Sequence, residues 1–324
     1  MAGDCTRTEF EGQAEVALLT YRFLRWLLIL LPANLLIVTT IVAAQSHDLP
    51  GSISAFYLGP VRDVFVGTLI ALAACLVAYQ GVGELEDYNL NGAGFYAVFV
   101  ALIPTGFGEM IDALRCNSLP GAVTPAEYVT FLRVALTALL GLCLLLVGLE
   151  IRSGRIARLL TASRLVLAFV VATGAVLVGF LVLAMTQVWS GPADQVTMPG
   201  ITIGPLQLSI HDLAAVFLIG ALAVSVLTNT WPFYKFADLA SNGRLAYLWI
   251  FLGMTAGAVV VALVMRAVSP RHVVIAVEWW EIGLFGIFWA TETWRIAHRR
   301  EQQLSGDAAQ GPLWDPPRVP LPQP

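Results

Sequence analysis

The amino-acid sequence predicts an all-α fold, a polytopic transmembrane helical bundle of about eight spans. Three observations carry this. The chain of 324 residues is 58% hydrophobic and only 12% charged, about half the charge of a soluble domain. Its mean hydropathy is +0.77, and apolar runs of about 18 or more residues recur along its length. Those runs do not alternate as the strands of a membrane barrel do. Helices are then the remaining solution, because open strands in lipid leave backbone groups unpaired.

Taken in order, the chain starts with a cytoplasmic segment, residues 1–20. Its acids Glu9, Glu11 and Glu15 are the wrong chemistry for the basic start of a secretory leader, so the first span directs insertion. Residues 21–297 form the transmembrane domain. Its apolar runs read as spans at 21–44, 62–80, 92–108, 130–150, 163–187, 209–230, 245–267 and 273–294. The second begins at the charged pair Arg62–Asp63, and the sixth at His211–Asp212. The fourth and fifth are divided by the basic loop "RSGRIARLLTASR" at 152–164. Residues 298–324 end in "GPLWDPPRVPLPQP", a proline-rich stretch that reads as a disordered cytoplasmic tail.

An even number of spans puts both termini on one side, and basic residues choose that side. With the termini cytoplasmic, 13 of the 18 basic residues lie inside and 5 lie at the outer face: Arg62, Arg115, Arg133, Arg266 and Arg271. This places the chain in the inner membrane, multi-pass, with N- and C-termini cytoplasmic. A 4+4 parallel repeat is also readable, with halves 21–151 and 163–297. "NGAGFYAVFVALIPTG" from Asn91 matches "NGRLAYLWIFLGMTAG" from Asn242, and Asp63 falls opposite Asp212. Such halves are related by an axis along the membrane normal; chance likeness between apolar helices is the competing explanation.

Composition excludes several functions. A net charge of −4 with scattered basic residues gives no nucleic-acid surface. Cys75 and Cys143 fall within spans, Cys5 in the N-terminal segment and Cys116 in a loop, with neither a disulfide framework nor zinc-finger spacing. No phosphate-binding loop, dinucleotide fingerprint or nucleophile elbow occurs.

The charges that remain gather at the outer ends of the spans. Arg62, Asp63, His211 and Asp212 start two of them. Glu109 follows the third, Arg133 lies near the start of the fourth, and Glu278 and Glu281 lie inside the eighth. Glu278 and Glu281 lie ~9–14 Å beyond His272 along a helix, and their i, i+3 spacing puts them on one face. Ionisable groups in hydrocarbon usually face a bundle interior or a wet cavity. Two neighbouring carboxylates also repel, so a proton or a cation is expected there. Plainer roles compete: Asp63 and Asp212 suit a helix N-terminus, Arg62 suits the lipid rim, and Trp279 and Trp280 suit the interface. Glu84, Glu86 and Asp87 fall in a loop and read as solvated. A metal such as zinc on His211, Asp63 and Glu278 is chemically conceivable, although no short ligand motif is present.

The stretch "SISAFYLGPVRDVFVG" at 52–67 resembles a group of uncharacterised bacterial polytopic membrane proteins. In that group a serine- and tyrosine-rich segment precedes Arg-Asp-x-Phe-Val-Gly at the second span. Ser52, Ser54, Tyr57, Arg62, Asp63, Phe65, Val66 and Gly67 carry the match, with "NGAG" at 91–94, "HDLAAVF" at 211–217 and Glu278. The resemblance adds Ser54 and Tyr57 to the candidate pocket residues. More distantly the chain is similar to membrane hydrolases of the ceramidase and adiponectin-receptor type, but Glu278 and Glu281 stand where those have a paired His-x-x-x-His. Two functions follow as expectations. One is binding or moving a small or lipid-like ligand through an outer-facing polar pocket, with membrane lipid as the surrounding partner. The other is metal-dependent hydrolysis of a lipid or amide at that face.

Overall fold

The computed structural model describes residues 2–47, 49–58, 61–81, 83–116, 123–204, 206–230 and 244–306. Nearly all of them are helical: α1 (Ala2–Ser46), α2 (Arg62–Ala78), α3 (Glu84–Leu102), α4 (Phe107–Cys116), α5 (Pro125–Arg152), α6 (Arg155–Ala162), α7 (Arg164–Val188), α8 (Ile210–Thr228), α9 (Leu245–Leu252), α10 (Ala258–Val268) and α11 (Val273–Gly306). The short strands β1 (Ile201–Ile203) and β2 (Leu206–Leu208) form one antiparallel hairpin. Among the described residues, seven segments are long and apolar enough to cross a membrane. The expected second span is α2; its 17 residues reach about 25 Å, at the short limit for a bilayer crossing. The chain is thus an all-α bundle with the dimensions of a multi-pass membrane protein.

The centre of the bundle is α3, which lies between α2 and α8. Glycine permits the tightest of these contacts: a Cβ on Gly94 would lie 2.9 Å from both the Ala73 carbonyl oxygen and Val77 Cγ2. Around this centre, α1 packs on α2 and α11, and α10 packs on α11. Helix α7 joins through an aromatic seam, in which Phe180 meets Phe95, Tyr96, Phe99 and Phe217. Helix α5 buries only Val129, Leu132 and Leu136. Val134, Leu142, Leu144, Leu145, Val147 and Leu149 are exposed, which is the surface of a helix against acyl chains.

Several boundaries differ from the sequence reading. The third span starts at Glu84, eight residues before the expected position, and ends at Leu102. Pro104 disfavours a helical Ile103, which is extended at φ −99° and ψ 114°. Gly106 then turns the chain at φ +64° into the separate amphipathic α4. The seventh span is divided by a π-helical turn, Gly253–Gly257. Residues 298–306, expected to be disordered tail, continue α11, and the proline-rich remainder lies outside the described residues. One helix pairing recurs between residues 21–151 and 163–297, α2 on α3 and α8 on α9, and another does not. Helix α1 lies along α2, whereas α7, its counterpart in the proposed repeat, packs most on α6.

Candidate functional site

A cavity of about 120 Å³ opens among α1, α2, α3, α8, the π turn and α11. Its walls are mostly apolar, with Leu35, Phe65, Leu72, Leu222, Met254 and Phe285 contributing. Five polar side chains interrupt them: Ser54, Thr68, His211, Glu278 and Glu281. Four of these were candidates from sequence, and three separate segments deliver them.

Glu278 fastens the roof. One of its oxygens accepts the Ile53 backbone N–H at 2.6 Å. One turn earlier on α11 the Ile275 N–H donates to Gly51 O at 2.9 Å, and one turn before that His272 Nε2 donates to Leu49 O at 3.1 Å. His272 keeps that tautomer because Ser269 Oγ lies 2.6 Å from Nδ1 and can donate to it. The i, i+3, i+6 spacing of these residues lays segment 49–53 along one face of α11. Ser52 and Ser54 hydroxyls pair at 3.0 Å within that roof.

His211 enters from the first turn of α8. Its Nδ1 lies 2.6 Å from Ile103 O, and a carbonyl only accepts, so Nδ1 carries the proton. In the neutral ring Nε2 is then an acceptor. His211 is 3% exposed, and no hydrogen bond to Nε2 occurs among the described residues.

Glu281 is the unusual member. It is 4% exposed, and neither of its carboxylate oxygens has a hydrogen-bond partner. It lies one turn beyond Glu278, on the cavity wall. Its neighbour Trp280 points the other way and donates through Nε1 to Gly253 O at 2.9 Å, tying α11 to the π turn. Met254 of that turn lines the cavity beside Glu281.

The other candidates stand apart from the cavity. Arg62 and Asp63 are exposed on the first turn of α2. Glu109 is exposed on α4. Asp212 and Ser209 form a capping box at the start of α8. Arg133 donates to Val188 O at 3.0 Å and Gly191 O at 2.8 Å and lies 5.0 Å from the Trp189 ring centre, joining α5 to the end of α7. The Tyr57 side chain lies outside the described residues. The conceived zinc set is therefore not assembled: His211 and Glu278 line the cavity and Asp63 does not. Among the described residues no three His, Cys, Asp or Glu side chains are grouped to hold a metal.

A second buried polar group lies at the opposite end of the bundle, where sequence reading placed a solvated loop. Glu86 lies within α3, 4% exposed, and accepts Asn229 Nδ2 at 3.1 Å. Glu84 pairs with Arg158, and Asp87 accepts the Gly81 N–H and lies 3.9 Å from Arg155. Glu292 is 2% exposed and takes Arg295 Nη2 at 2.8 and 2.9 Å. One sequence signal pointed here: Glu292 is eleven residues after Glu281, about three helical turns, hence on the same face of α11. Asn229 packing over Glu86 has no local signature.

Fold and site together define a multi-pass helical bundle with a carboxylate-bearing internal cavity. Comparison of the chain with protein-family models, with curated proteins and with solved structures finds no match.

Proposed function

We propose that the protein binds or moves a small or lipid-like ligand with a cationic head, and that Glu281 receives that head. It sits in the inner membrane with both termini cytoplasmic, so that the His211 end of the bundle faces outward. The supporting observation is the unpartnered Glu281 carboxyl in an apolar cavity. A carboxylate at membrane depth costs about 2.5–3.5 kcal/mol on insertion scales, and among the described residues no arginine or lysine lines this cavity to offset it. A proton or a bound cation closes that deficit. The apolar walls suit the hydrocarbon part of such a ligand, and Ser54 and His211 supply hydrogen bonds nearer the outer end.

Paired amphiphiles test this. In nanodiscs, dodecylamine and dodecanol present the same chain with and without a positive head. Dodecylamine raises the melting midpoint of the protein and dodecanol does not, and Glu281→Gln removes the difference. Equal responses of the two proteins to both compounds overturn the reading. The hydrolase alternative retains one favourable observation, the open Nε2 of His211 on the cavity wall. Metal analysis of purified protein decides it: stoichiometric zinc lost in His211→Ala supports it, and protein free of metal after purification without chelator removes it.

A further inference from the structure

Glu278 and Glu281 meet the cavity one turn apart on α11, yet only one of them is provided for. Glu278 accepts the Ile53 N–H at 2.6 Å. Glu281 is 4% exposed, and both of its oxygens lack a hydrogen-bond partner. Among the described residues no cationic side chain stands against it. Few other groups here can hold charge. Among the described residues, the lining from α1, α2, α3, the roof and the π turn contains no titratable side chain, and His211 of α8 is the one base. His211 commits its Nδ1 proton to Ile103 O at 2.6 Å. Asp212, whose charge reaches Glu278, is closed into the capping box with Ser209.

These surroundings give Glu281 two favourable states. An unpaired carboxylate in an apolar cavity is expensive, so without a ligand the group holds its proton. A cationic head beside it reverses that preference, because the attraction exists only when the carboxyl is ionised. Head and proton therefore exclude each other electrostatically. Space acts in the same direction. A cavity of about 120 Å³ takes one small group, as a cavity of about 150 Å³ takes one benzene. A second cation has no room to share Glu281 with the ligand.

We infer that ligand and proton exchange at Glu281, each entering cationic head displacing one proton from that carboxyl. This rests on the cationic-ligand reading of the cavity and adds its regulation. The Glu281 O–H bond breaks, its electron pair stays on the carboxylate, and the proton leaves to water. An ion pair forms, with no covalent bond to the ligand. By linkage the proton competes with the ligand. Apparent affinity therefore rises about ten-fold per pH unit until Glu281 ionises unaided, and then levels. The cavity also carries the same net charge loaded and empty. Movement of the ligand across the bilayer is then an electroneutral exchange of one cation for one proton, which a proton gradient can drive.

The test uses the full chain in phosphatidylcholine nanodiscs and dodecyltrimethylammonium. The charge of this cation does not depend on pH, so a proton that appears on binding comes from the protein. Calorimetric titration in two buffers of different ionisation enthalpy counts protons, with empty nanodiscs subtracted. One proton is released per bound cation over the range in which affinity climbs with pH. Glu281→Asp keeps a carboxyl and keeps the release. Glu281→Gln has nearly the same shape and cannot ionise; it loses the release and the pH dependence of whatever binding remains. A cation that binds the natural protein without releasing a proton, at an affinity independent of pH, overturns the exchange and leaves the cationic-ligand reading standing. A cation that binds at no pH removes both. A Glu281→Gln protein that still releases a proton on binding assigns that proton to Glu278 or His211, and this too overturns the inference.

Discussion

Glu278 and Glu281 are one helical turn apart and differ in what they do. Glu278 has a defined partner, the Ile53 N–H at 2.6 Å; Glu281 has none. Leucine has nearly the shape of glutamate without its carboxyl, so the two substitutions separate the roles. Glu278→Leu leaves the Ile53 N–H unpaired and lowers stability by about 1–3 kcal/mol, read as a lower melting midpoint in detergent. Glu281→Leu removes a buried polar group that bonds to nothing, and raises the midpoint by an amount on the order of 1 kcal/mol. Equal losses from both would mean that the Glu281 oxygens are paired in the protein as purified. Sequence marked both residues, because carboxylates amid tryptophan and isoleucine are conspicuous. It also marked Arg62 and Asp63, which are exposed. Charge at a span mouth is equally favourable in water at the rim and in a pocket, and only the rotation of α2 distinguishes the two.

At the scale of elements, α3 is the test of how the centre of the bundle is held. Gly92 and Gly94 lie on the same helix, two residues apart. A Cβ on Gly94 would press on the Ala73 carbonyl oxygen and Val77 Cγ2, both at 2.9 Å, whereas nothing lies within 4 Å of a Cβ on Gly92. The Ala73 oxygen is backbone and cannot rotate away. Gly94→Ala therefore separates α2 from α3 and costs about 1–3 kcal/mol, while Gly92→Ala is neutral or stabilises by up to about 1 kcal/mol through its better helix propensity. Thermal melting of the two variants side by side checks this, and a similar loss from both would place the effect in the helix itself. A third expectation concerns α8, whose N-terminus Ser209 and Asp212 close reciprocally; Ser209→Ala lowers stability by about 1 kcal/mol. The existence of these helices was legible because long apolar runs dominate every local preference. Their ends were not: "GELED" reads as a solvated loop, yet Glu86 is buried because Asn229 of a distant helix covers it.

At the scale of the whole molecule, every observed contact between span ends agrees with alternate crossing. His211 reaches Ile103, Glu278 reaches Ile53, and Arg133 reaches Val188, so the start of one span repeatedly meets the end of another. This pairing fixes which ends lie together and leaves the direction of the bundle to the basic residues, 13 of 18 of which fall on the side of the termini in the proposed topology. Native cysteines can read that direction. Cys116 is exposed at the end of α4, on the His211 side, and Cys75 is buried within α2. Cys143 lies deep in α5 between lipid-facing leucines, where a charged reagent does not go. On the proposed topology a membrane-impermeant maleimide added to intact spheroplasts labels the protein, and Cys116→Ser abolishes the signal. If the Cys5→Ser variant is labelled only after the membrane is opened, the bundle is inverted. The Glu281 cavity then opens toward the cytoplasm, and its ligand is drawn from inside the cell.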